Sequence, residues 1–146
     1  MSEHSLRIER TYEAPAEAVF DAWTSAEVLR RWWQAERGWE TPEATVDPRV
    51  GGAVRVVMRD TDGDSHGGGG TYTEVERPTR LAFTWTWDDS DRETLIEVDF
   101  EPAGTGTRVS FTHSLLADEE TVRNHEYGWS NVLDSLGRYL EGAAPA

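Results

Sequence analysis

From Val54 to His113 the apolar residues of this chain recur at every second position, strand after strand, and beyond Asp118 they recur at a helical spacing as far as Leu140. That change of period limits what the chain can fold into more than any other feature. Val54, Val56 and Met58 alternate with Arg55, Val57 and Arg59, and Tyr72 opens another strand. Leu81, Phe83, Trp85 and Trp87 alternate with Ala82, Thr84 and Thr86. Ile96, Val98 and Phe100 then alternate with Glu97, Asp99 and Glu101, and Val109, Phe111 and His113 with Arg108, Ser110 and Thr112. Each run reads as a half-buried strand. The turns between them, at Asp62-Gly63, 77–80 and 103–106, predict an antiparallel meander with one dry face. A dry face must be covered. The one element long enough is a helix capped by Asp118 and ending just before Gly142. Val122, His125, Trp129, Val132, Leu133, Leu136 and Leu140 share its inward stripe. About 22 residues at about 1.5 Å each span roughly 33 Å, the width of a small domain.

The N-terminal part supplies the closure. Leu6, Ile8 and Tyr12 share a parity, with Arg10 as the polar exception, and predict a first strand. Pro15 suits the first turn of a helix that carries Val19 and Trp23 on one face. Thr24 and Glu27 have the spacing of a capping box, which predicts a second helix to about Trp33. That helix pairs Val28 with Trp32 and Leu29 with Trp33. Gly38 and Pro42 end the region. The expected fold is α+β: a curved antiparallel sheet wrapped around a long C-terminal helix, with two short helices after the first strand. We expect one domain over 1–146, with a core of about 6–141.

Charge excludes some partners. The net charge is −14, and all 14 basic residues are arginine. Such a surface repels phosphate backbones and anionic lipid, so neither nucleic acid nor membrane insertion is expected. Without cysteine there are no disulfides, thiolate metal sites or thiol nucleophiles. The N-terminus is polar and no run is long enough to span a bilayer, so the expectation is a cytoplasmic protein.

Several residues carry the candidate chemistry. Trp32 or Trp33 is expected to supply core packing. Trp39 follows Gly38 in an irregular segment and reads either as packing or as the apolar face of a flap over a cavity mouth. His113 has inward parity, and His125 and Trp129 lie one turn apart on the last helix. Each histidine is either a polar anchor in an apolar pocket or a structural group bonded to a backbone carbonyl. Gly128 would let something approach the helix backbone closely. Glu126 points about 100° around the helix from His125, the wrong way to orient it. Glu74 shares parity with Tyr72 and faces inward unless a bulge turns it out. No catalytic residue is assigned.

The stretch 60–70, "DTDGDSHGGGG", fails as a calcium loop, because Ser65 and Thr71 stand where glycine and glutamate are needed. It also lacks the lysine of a phosphate loop. It reads as a surface hairpin connection, and 88–93 as a solvated turn. No metal or cofactor is expected.

"RTYEAPAEAVFDAWTSAEVLRRWW", "GGAVRVVM…GTYTEVERPTRLAFTW" and "THS…DEE…HEYGW" resemble the START-like helix-grip superfamily over residues 6–141. The nearest subgroup is the homologues of the C-terminal domain of the activator of the ninety-kilodalton heat-shock protein ATPase. The resemblance implies a hydrophobic cavity between sheet and long helix, and no universal catalytic residues. The activator also carries a separate N-terminal domain, for which 146 residues leave no room, so ATPase stimulation is not carried over.

The leading expectation is non-covalent binding of a small hydrophobic or aromatic molecule. Its wall would be Val56, Met58, Tyr72, Phe83, Trp85, Ile96, Val98, His113, His125 and Trp129, with Trp39 at the mouth. Burial would drive binding at roughly 25 cal/mol per Å². One rival is an aromatase/cyclase-like enzyme, which requires acid–base pairs in the same cavity. The other is a protein-interaction module, which predicts a filled interior and an exposed apolar patch. A homodimer or another protein partner remains open.

Overall fold

The computed structural model describes residues 4–143, so the outermost residues of the expected 1–146 domain lie outside the described ones. The elements are β1 (His4–Tyr12), α1 (Ala16–Trp23), α2 (Ala26–Trp32), β2 (Glu40–Val46), β3 (Ala53–Arg59), β4 (Ser65–Glu76), β5 (Arg80–Trp87), β6 (Thr94–Ala103), β7 (Gly106–Leu116) and α3 (Glu119–Ala143). They form a 7-stranded sheet in the order β1-β7-β6-β5-β4-β3-β2. Every neighbouring pair is antiparallel. The α+β fold, the curved sheet and the two short helices after the first strand are as the periodicity predicts.

Local chemistry explains the boundaries, and moves some of them. The N-cap of α2 is Ser25, whose hydroxyl accepts the Val28 amide. Thr24 instead ends α1 and donates its hydroxyl to the Phe20 carbonyl. The cap therefore falls one residue later than the Thr24 box implies. At α3 the Asp118 carboxylate accepts the Thr121 amide at 2.8 Å, and the helix continues through Gly142 rather than stopping before it. A register shift between Tyr72 and Glu74 turns Glu74 outward, where Arg80 gathers it with Glu97 and Asp99.

The largest correction concerns 65–70. These residues are not a surface connection; they are the first half of β4, paired with β3. Two glycines there allow a close approach that a side chain would block. A Cβ on Gly68 would lie 2.7 Å from the Trp85 indole, and one on Gly70 would lie 2.0 Å from the Thr84 carbonyl oxygen.

The C-terminal half of α3 is clamped to β1. Tyr12 donates its hydroxyl to the Leu133 carbonyl at 2.8 Å, and Arg10 reaches Asp134 at 2.9 Å. Arg10 is thus the polar exception in its strand because it faces a carboxylate. Leu133, Leu136 and Leu140 are buried behind this clamp. Backbone to backbone, α3 closes on β1 and α2. Its N-terminal half stands over β3–β5, and the site lies there. Among the described residues no helix is long and apolar enough to cross a membrane.

Candidate functional site

Beneath the N-terminal half of α3, a cleft of about 700 Å³ opens between the helix, the strand ends β3–β5 and the segment after α2. Its inner wall is aromatic. Trp33, Trp39, Trp87 and Trp129 line it, with Ala35, Met58 and Val132 as the aliphatic members. Its rim is polar, formed by Ser65, His66, Asp88, Asp89, Asn124 and His125.

The four indoles are placed by different means. Trp33 is the residue on which α2 ends, and its ring stacks on Trp85 (5.6 Å) and meets Trp129 edge-on (5.0 Å). Trp129 packs on Phe111 at 4.5 Å from the inward stripe of α3. Trp87 is the last residue of the β5 stripe, set edge-on to Trp85. Trp39 stacks nearly flat on His66, with centroids 4.8 Å apart. The segment that bears Trp39 is tethered to α3. Asn131 donates to the Ala35 carbonyl at 2.8 Å, and Tyr127 donates its hydroxyl to Glu36 at 3.0 Å.

The histidine network follows from the fact that an indole N–H can only donate. Trp129 Nε1 donates to His113 Nδ1 at 3.0 Å, so the proton of His113 sits on Nε2, within 2.7 Å of the Thr94 hydroxyl. Thr94 passes its own hydrogen to the Trp85 carbonyl at 2.7 Å. Trp87 Nε1 likewise donates to His125 Nε2 at 2.9 Å, which leaves Nδ1–H to bond the Thr121 carbonyl at 2.8 Å. Both rings are thus neutral and of opposite tautomer, and they meet edge-on at 5.2 Å. Burial, reinforced by nearby His125, pushes His113 down to about 3. Burial also lowers His125, against the pull of its bond to Thr121.

His66 is held differently. Its Nε2 lies 2.8 Å from Asp60, whose other oxygen accepts the amides of Asp62 and Asp64. The imidazole, followed by those amides, holds the Asp60 carboxyl below the usual carboxylate range. At the rim, Asp88 is bonded by both terminal nitrogens of Arg55, at 2.9 and 2.8 Å, which holds its carboxyl low as well. The turn 88–93 is exposed throughout, as expected of a solvated turn, and its first two residues edge the cleft.

Of the eleven residues expected to form the wall and mouth, Trp39, Met58, His125 and Trp129 line the cleft. The remaining seven lie elsewhere. Val56, Tyr72, Phe83, Trp85, Ile96, Val98 and His113 are fully or almost fully buried in the packed core. The reason is volume: Trp23, Trp32, Trp33, Trp85 and Phe111 fill the middle of the grip, and the open space is displaced to its α3 N-terminal end. Residues missed by sequence reasoning include His66 and Trp87. Trp87 already shares the β5 stripe. Counting back in twos from Tyr72 through Gly70 and Gly68 also reaches His66, paired opposite Met58.

A family described as Activator of Hsp90 ATPase homolog 1-like protein matches residues 13–141. No curated protein matches the chain. The fold is similar to that of the AHSA1 protein from Silicibacter pomeroyi (30% identity, TM-score 0.87), with 97% of this chain and 100% of that one covered. It is also similar to an AHSA1-like protein from Aeromonas hydrophila at 34% identity and TM-score 0.81, covering 96% of this chain and 94% of that one. A protein from Chromobacterium violaceum gives 25% identity and TM-score 0.83, covering 92% and 96%.

Proposed function

This chain belongs to the Activator of Hsp90 ATPase homolog 1-like family, of START-like helix-grip fold, and from that premise we propose that it binds a small, largely aromatic or hydrophobic molecule in the cleft under α3. The observation that carries the reading is the space itself: about 700 Å³, walled by indoles and edged by a few polar groups. That is the size and composition typical of a small-molecule site. Trp39, stacked on His66 and tethered through its segment to α3, forms the mouth. His113 and His125 act as braces in this reading. Their ring nitrogens are all committed within the protein, so they hold Trp129 and Trp87 in place and leave the ligand to the rings.

Gly128 gives the reading a direct handle. A Cβ there would meet only the Ala35 Cβ, at 3.7 Å. Packing does not require glycine at this point, and in mid-helix it costs about 1 kcal/mol against alanine. Its absent side chain leaves room in the cleft. Native mass spectrometry of the protein purified from its own host is expected to show a co-purifying small molecule. Gly128→Leu should fold, because it keeps the helix, and should lose that mass. A bare wild-type protein, or an equal load on the leucine variant, would count against the cleft.

A second reading is favoured by one pair. His66 is oriented by Asp60 and faces the cleft, and its Nδ1 has no partner among the described residues. That arrangement suits proton transfer to or from a bound molecule. The same spectra discriminate. If that proton transfer drives loss of water from the occupant, His66→Gln should carry a molecule about 18 Da heavier than the wild type's; equal masses would count against a dehydration there.

A further inference from the structure

Resting on the reading of the cleft as a ligand site, we infer that its occupant is an organic cation, an ammonium-type group carried on an aromatic or otherwise apolar body. Four separate features of the site agree on the sign of the charge.

The first is the wall. A cleft built only to bury hydrocarbon would be served by leucine and isoleucine, yet here the large side chains are four tryptophans. Indole is the side chain whose ring face attracts a cation best, and the same face repels an anion. The second is the fate of two of the four indole donors. The ring N–H groups of Trp87 and Trp129 are spent on His125 and His113, at 2.9 and 3.0 Å. Those two indoles offer a ligand ring surface and no hydrogen-bond donor. His125 also has both ring nitrogens occupied, and His66 is held by Asp60.

The third is the rim. Asp88 and Asp89 edge the cleft, and among the described residues no arginine lines it. Arg55, which grips Asp88, is also faced by Glu43 at 3.3 Å, so its charge is already matched. Asp89 makes no ion pair or hydrogen bond among the described residues, and it is exposed at the mouth. The fourth is the field of the whole chain. A net charge of −14 draws cations toward the mouth and repels anions before contact.

A set of near-isosteres isolates charge from shape: phenyltrimethylammonium, uncharged tert-butylbenzene and anionic benzenesulfonate. Binding would be followed by calorimetry and tryptophan fluorescence on the full chain. A merely oily cleft must favour the neutral compound, because the cation resists leaving water. The cation is instead expected to bind about tenfold tighter than the neutral compound, with the anion undetected. Asp89→Asn should reduce the cation's affinity roughly threefold and leave the neutral compound's unchanged. Gly128→Leu should abolish binding of both. Equal or tighter binding of the neutral compound would overturn the cation inference while leaving the aromatic-ligand reading standing. Cation binding that survives Gly128→Leu would place it on the acidic exterior and overturn the inference too. If none of the three binds, the inference and the reading beneath it both fall.

Discussion

Replacing Trp129 with alanine is expected to cost about 4 kcal/mol of folding stability, within the range for emptying a large aromatic site. Trp129 is 4% exposed and sits where the packed and the open parts of the grip meet. Its ring contacts Phe111 at 4.5 Å and Trp33 at 5.0 Å, and its N–H satisfies His113 Nδ1. Alanine removes all three at once and leaves a buried acceptor bare, which adds to the cavity cost. Trp129→Phe separates the contributions. It keeps most of the packing and loses the hydrogen bond, so about 1–3 kcal/mol is expected. Urea unfolding of the three proteins measures both steps. If phenylalanine proved as costly as alanine, the hydrogen bond would dominate. If both were harmless, the wall described here would not be structural.

The second large effect is a loss of stability in mild acid. In the native state His113 is pushed down from 6.5 to about 3 by burial and by His125 beside it. Unfolding returns it to its ordinary value. Between those limits the unfolded chain binds a proton that the native chain refuses, so stability falls as pH falls. The contribution is intact above pH 6.5 and is lost progressively as pH drops toward 3. At about 1.4 kcal/mol per unit, moving from pH 7.5 to pH 5 should cost about 2 kcal/mol. His125, lowered by its own burial, adds in the same direction. The carboxylates held low by bonded partners, such as Glu74 by Arg80 and Asp118 by the Thr121 amide, act in a different window. Their stabilisation is full above the usual carboxylate range and is lost only below it, so pH 5 isolates the histidines. His113→Gln should flatten much of the slope between the two pH values. Unfolding midpoints that agreed at pH 7.5 and pH 5 would contradict the neutral, doubly bonded His113.

The fold was legible because each strand carries its own parity and α3 carries a long stripe. Those signals say which side of an element is dry. They do not say how deep a residue lies, and the site depended on depth. Val56, Tyr72, Phe83 and Ile96 have the right parity and belong to the inward face, yet they lie in the filled part of the grip. Whether a space stays open there depends on how bulky indoles such as Trp33 and Trp85 stack, which no periodicity encodes. His66 was hidden for another reason. Four glycines after it imitate a loop, although they are strand residues whose lack of side chains lets β4 approach Trp85 and Thr84. The histidine tautomers were out of reach as well, since they follow from which indole N–H points at which ring nitrogen.

The chain's seven tryptophans make the central claim directly measurable. Each indole N–H gives its own proton–nitrogen resonance, and a titration with phenyltrimethylammonium, repeated with tert-butylbenzene, reads all of them together. Trp33, Trp39, Trp87 and Trp129, which line the cleft, are expected to shift in step with occupancy while Trp23, Trp32 and Trp85 stay in place. Shifts spread evenly over all seven, or seven resonances unmoved by either compound, would contradict a ligand site beneath α3.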